Sequence, residues 1–143
     1  MFAGKAPLEF VSEQTIELMT ADTNREKSTI AIYGYGPGRL DVIDGRFSGN
    51  TYAGYDVWDA FCKFRTEAEN AGYLLLCNGA RRDAVQSGMS RDMGNGMTIY
   101  LTETGKPVTA KSLVQVFEPA SRELVAKLAE QEAANREWRQ SLR

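Results

Sequence analysis

The sequence predicts an α+β fold, a mainly antiparallel sheet with one packed helix and a long C-terminal helix. Three observations lead there. Segments that alternate apolar and polar residues fill the first third of the chain. One broad apolar stripe at three- and four-residue spacing covers 56–71, and a second helical pattern runs over about 119–142. The 143 residues, 43% hydrophobic and 25% charged, are enough to bury a core and are expected to form a single domain over 1–143.

Thr15 to Thr20 alternates, with Ile16 and Leu18 on one face, and Ser28 to Gly34 does so through Ile30 and Ile32. Arg39 to Phe47 follows, with Leu40 and Val42 opposed to Asp41 and Ile43. The turn formers Tyr35-Gly36-Pro37-Gly38 between the last two predict an antiparallel hairpin. Ser48-Gly49-Asn50 closes the third strand in a loop. In the helix from Asp56 to Ala71, Val57, Phe61, Phe64 and Ala68 define the stripe. Asp56 is placed to cap free amides of the first turn, and Gly72 to take the left-handed stop.

Tyr73 to Cys77 is continuously apolar, the pattern of a central strand buried on both faces, and it breaks into Asn78-Gly79-Ala80-Arg81-Arg82-Asp83. Met97 to Thr102 alternates again, Gly105-Lys106-Pro107 reads as a turn, and Ser112 to Phe117 as a strand or a short helix. Glu118-Pro119 opens the last helix, since proline fits a first turn. Leu124, Val125 and Leu128 dock its first half. The stripe thins beyond Ala129, so the distal half, with Trp138, is expected to project or to rest on a partner.

Composition excludes several chemistries. The chain has no histidine, which removes Ser-His and Cys-His nucleophilic systems. Its two cysteines, Cys62 and Cys77, form no metal-ligand spacing and are expected in the core; neither a metal nor a cofactor is expected. The cysteine-phosphatase loop needs its arginine at a fixed offset from the cysteine, and that offset falls on Asp83. The glycines at 34–38 are followed by a proline and a strand pattern, not by the helix a phosphate loop requires. A net charge of −2 and a pI near 5.3 argue against nucleic acid as a partner. No apolar run approaches the roughly 18 residues of a membrane span. Met1 to Pro7 lacks the layout of a secretory signal, so the expected address is the cytoplasm.

Two regions stand out as candidate surfaces. The nineteen residues from Asn78 to Gly96 hold Arg81, Arg82, Asp83, Arg91 and Asp92 among glycines, a long connection for a compact domain. A helical turn over Ser87 to Met93 would bury Met89 and Met93 and turn Arg91 outward. Either Arg81 and Asp83 pair locally and brace this loop, or the loop binds something. Leu40 to Ala60 carries Asp41, Asp44, Asp56 and Asp59 against Arg46 alone, and displays Tyr52, Tyr55 and Trp58. Aromatic anchors beside carboxylates suit a basic protein partner.

The strings Leu76-Cys77-Asn78-Gly79-Ala80-Arg81 and Ser87-Gly88-Met89-Ser90-Arg91-Asp92-Met93-Gly94-Asn95-Gly96, followed by Tyr100-Leu101, resemble a family of small standalone bacterial proteins. These are associated with immunity proteins of polymorphic toxin systems such as contact-dependent growth inhibition. The resemblance covers about residues 28–118. It implies a non-enzymatic cytosolic protein that occludes a cognate toxin domain, with a basic nuclease as the expected toxin. The resemblance fixes no contact site; the two candidate surfaces described above offer Asp41, Asp44, Tyr52, Tyr55, Asp59, Arg81, Arg82, Asp83, Arg91 and Asp92 for the contact. The alternative is a small anionic ligand, such as a nucleotide, bound by Arg81, Arg82 and Arg91.

Overall fold

Residues 8–34 and 37–143 are described by a computed structural model. Five strands form an antiparallel sheet in the order β4-β3-β2-β1-β5: β1 (Glu9–Thr20), β2 (Arg25–Gly34), β3 (Gly38–Val42), β4 (Thr51–Gly54) and β5 (Tyr73–Leu75). Helix α1 (Val57–Asn70) lies across one face. The fold is therefore α+β with mainly antiparallel pairing, as the alternation predicts. Ile16, Leu18, Ile30, Ile32, Leu40 and Val42 point inward and pack with Val57, Phe61, Phe64 and Ala68 of the helix stripe. Burying each such side chain is worth roughly 1.5–3 kcal/mol.

Asp56 caps α1 as expected, its side chain accepting from the Asp59 amide, and Gly72 takes φ +91° just beyond the helix. The β2–β3 hairpin pairs Ile30 with Val42 and Tyr33 with Arg39; Tyr35 and Gly36 of its turn lie outside the described residues. Strand β3 ends at Val42, short of Phe47. Ile43 is exposed, and the Asp44 carboxylate accepts from the Thr29 amide at 2.7 Å and hydroxyl at 3.1 Å, which turns the chain. The sequence pattern did not foresee β4. A four-residue Thr-Tyr-Ala-Gly stretch has little period to read, and its pairing with β3 defines it.

Strand β5 is an edge strand, which corrects the expectation of a central one. Tyr73 and Leu75 are buried in the core under α1. Just beyond the strand, the Asn78 amide donates to the Glu118 carbonyl at 2.9 Å and the Ala120 amide to that of Leu76 at 3.1 Å, so 116–120 pairs with the chain that follows β5.

The connection from Asn78 to Gly96 is mostly structured. A 3-10 turn at Asn78–Ala80 leads to β6 (Ala84–Val85) and helix α2 (Gly88–Gly94). Strand β6 joins β7 (Thr98–Leu101) and β8 (Leu113–Gln115) in a second antiparallel sheet, so the middle of 112–117 is a strand, between a 3-10 turn ending at Ser112 and a turn at 116–117. The last helix, α3 (Leu128–Ser141), begins well after Pro119; residues before it are extended apart from a 3-10 turn at Arg122–Leu124. Its distal half does not project. The Trp138 indole donates to the Lys106 carbonyl at 2.9 Å, and the Ser141 hydroxyl accepts from the Gly105 amide at 2.8 Å. No helix among the described residues is long and apolar enough to cross a membrane.

Candidate functional site

The N-terminus of α1 is where the two regions singled out by sequence meet. Gly38 lets β3 run directly beneath it: a Cβ there would collide with the Asp56 and Val57 backbone. On the other side the chain around Asn95 and Gly96 closes in. Both residues have positive φ, 57° and 77°, a Cβ at Gly96 would overlap that of Trp58, and the Val57 amide donates to the Asn95 carbonyl at 3.0 Å. Asp56 is consequently buried and held from two directions.

Helix α2 supplies its charge partner. The Ser87 hydroxyl caps α2 by accepting from the Ser90 amide at 3.0 Å, and Asn95 terminates it in the left-handed region. Arg91 then donates through Nε and Nη2 to the two Asp56 carboxylate oxygens at 2.7 and 3.1 Å. This hydrogen bonding holds the Arg91 guanidinium above its ordinary pKa against the opposing effect of desolvation. Asp56 thus caps one helix and anchors another.

The expected orientation of α2 is inverted. Met89 and Met93 stand 68% and 81% exposed, whereas Ser90 is buried and shares a 3.0 Å hydrogen bond with the Thr98 hydroxyl. A serine with a partner buries at little cost, and the Arg91–Asp56 pair fixes the helix rotation that leaves both methionines in solvent. Tyr55, 85% exposed, stands across a cleft of about 460 Å³ from Gly88, Arg91 and Asp92. Its amide donates to the Asp59 carboxylate at 3.1 Å, so its backbone is fixed while its ring is free. On the surface of α2, Asp92 separates this cleft from the methionine pair. The described residues place no carboxylate-pairing cation within 4 Å of Asp92.

Of the ten residues named from sequence, Tyr55, Asp59, Arg91 and Asp92 gather here. Tyr52 does not: it is buried beneath α1, donating to the Glu67 carboxylate at 2.8 Å, and Trp58 is likewise buried against Phe61. Asp41 lies on the sheet face opposite α1, where it pairs with Arg39 at 3.1 Å and accepts from Thr51; Asp44 serves the turn described above. Arg81 and Asp83 form a two-bond pair, both at 2.8 Å, which braces the segment locally. Hydrogen bonding to Asp83 raises the Arg81 pKa. Arg82 is exposed and 3.9 Å from Glu130, and with Asp83 it borders a different depression beside Trp138. Cys77 is fully buried, and burial pushes its thiol up to about 12, the opposite of what a nucleophile needs.

Sequence reading missed Arg65. It lies within the apolar stripe of α1, one turn after Phe61, and is fully buried. Its guanidinium donates to Glu69 at 2.8 Å, to the Gln131 side chain at 2.7 Å and to the Ala126 carbonyl at 2.8 Å. The available signal was an arginine at a core position with a glutamate four residues on. A scan of the chain against protein-family models gives no match, and a search among curated proteins finds none.

Proposed function

We propose that this chain is a non-enzymatic binding protein of the immunity type, holding a cognate toxin domain through the face made by Tyr55, Met89, Asp92 and Met93. The observation that carries this reading is the exposure of an aromatic ring and two methionines on backbone pinned by the Asp56–Arg91 and Tyr55–Asp59 bonds. A rigid mount lowers the ordering cost of association. Aromatic and methionine side chains supply contact area, and methionine adapts its shape to the partner. Asp92 and Asp59, on a chain of net charge −2, favour a basic partner such as a nuclease. The anion reading has less support, because Arg81 and Arg91 already hold carboxylates through two bonds each.

Calorimetric titration with candidate toxin domains encoded by neighbouring genes tests the proposal. One-to-one binding with a nanomolar Kd, about −12 kcal/mol, and loss of toxin activity in the complex are expected. Tyr55→Ala should weaken binding by about thirtyfold, roughly 2 kcal/mol, with the melting temperature unchanged. Neither complex nor protection with any of these toxins would overturn the reading. Full affinity in the triple Tyr55→Ala, Met89→Ala, Met93→Ala variant would move the contact elsewhere.

A further inference from the structure

A second cleft, also of about 460 Å³, opens between α1, β6 and α3 and shares no lining residue with the one under Tyr55. Its apolar wall is built by Trp58, Ala84, Val85 and Leu128. Arg136 and Arg139, three residues apart on α3 and therefore neighbours on its surface, border it as well. Among the described residues neither lies within 4 Å of a carboxylate, and Glu132 is the one acidic residue along the same lining.

Three polar side chains line the interior, and two are fully engaged. Gln86 donates to the Thr98 carbonyl and accepts from the Ser87 amide, and Gln131 accepts from Arg65 while donating to the Gly79 and Arg81 carbonyls. Asn135 differs: its side-chain oxygen is buried without a hydrogen-bond partner. That oxygen is closed to solvent, so it offers a ligand in the cleft no bond. A cleft with Trp58 and Leu128 on its apolar side and two exposed arginines free of carboxylate partners among the described residues at its border has the makings of a small-molecule site, and the volume lies in the range such sites occupy.

We propose that this cleft binds a small amphipathic anion. A flat apolar body of one or two rings lies against Leu128 and the accessible edge of Trp58, and an acidic group meets Arg136 and Arg139. The proposal is independent of the toxin-binding reading, since the two surfaces are separate.

The test uses 1-anilinonaphthalene-8-sulfonate as the charged probe and N-phenyl-1-naphthylamine, the same rings without the sulfonate, as the neutral one. The charged probe is expected to bind the intact chain saturably at one site, with energy transfer from tryptophan. Arg136→Glu with Arg139→Glu should weaken it by about tenfold or more and leave the neutral probe unaffected. Lys27→Glu with Lys111→Glu makes the same change of charge at exposed positions outside the cleft and should leave both probes unaffected. Non-saturable binding, equal weakening of both probes by the arginine pair, or equal weakening of the charged probe by the lysine pair would overturn the proposal.

Discussion

Arg65 and Arg91 each bind a carboxylate, yet they do different work because they lie at different depths. Arg65 is fully buried and uses its donors on Glu69, Gln131 and the Ala126 carbonyl, joining α1 to the segment before α3 and to α3 itself. Glu69 in turn accepts from the Leu128 amide at 2.9 Å, at the start of α3. The side chain of Arg91 is 37% exposed, and its bonds go to a single aspartate. A buried charge persists only where its donors are satisfied, so the Arg65 network is a structural knot whose loss is severe. A partly exposed pair contributes little stability by itself. Its effect is to fix which face of α2 meets solvent, and therefore where Met89 and Met93 stand.

Breaking the knot should have the largest effect. Arg65→Ala strands Glu69 and Gln131 in the core and is expected to cost about 3–5 kcal/mol, read from the urea midpoint. A loss below about 1 kcal/mol would show that the interior there is wet and erase the contrast. Asp56→Ala comes next at about 2 kcal/mol, since it removes a helix cap together with the partner of Arg91. Arg91→Ala should cost about 1 kcal/mol. A double-mutant cycle between these two is expected to give a coupling of about 1 kcal/mol, and one near zero would mean that the pair does not orient α2.

Depth also separates titrating groups. Burial, reinforced by the hydrogen bond to Glu67, pushes the Tyr52 phenol up to about 12. Folding favours its neutral form, so this contribution is complete below the ordinary phenol value of about 10 and disappears as pH rises from there towards 12. Spectrophotometric titration should show a late-ionising tyrosine that Tyr52→Phe removes; a single step finished near pH 10 would contradict it. The smallest difference expected lies between the thiols. Burial raises Cys62 to about 11 and Cys77 to about 12, so a disulfide reagent should modify native Cys62 slowly and Cys77 only on unfolding. Equal native rates would place Cys77 nearer solvent than the fold allows.

Much of this was legible in the residues. The alternation at Ile16, Leu18, Ile30 and Ile32, the stripe on α1, the Asp56 cap and the Arg81–Asp83 brace all follow from spacings of a few residues. The candidate face was legible only in part. The pattern shows Tyr55 and Asp92 as surface residues, but Glu67 draws Tyr52 into the core, and the spacing of Met89 and Met93 points them to the side of α2 opposite the one they take.

Sequence alone determined the alternating cores of β1, β2 and β3 and where α1 is capped and stopped, because those choices depend on neighbours one turn or one pleat away. Tertiary structure decided that β5 is an edge strand, that α3 starts at Leu128, that Arg65 lies inside and that Met89 and Met93 lie outside. The reason is the reach of the polar bonds involved. Asp56 and Arg91 are 35 residues apart and Arg65 and Gln131 are 66 apart, so the partners that make a charge buriable, or turn an apolar side chain to solvent, appear in no local pattern.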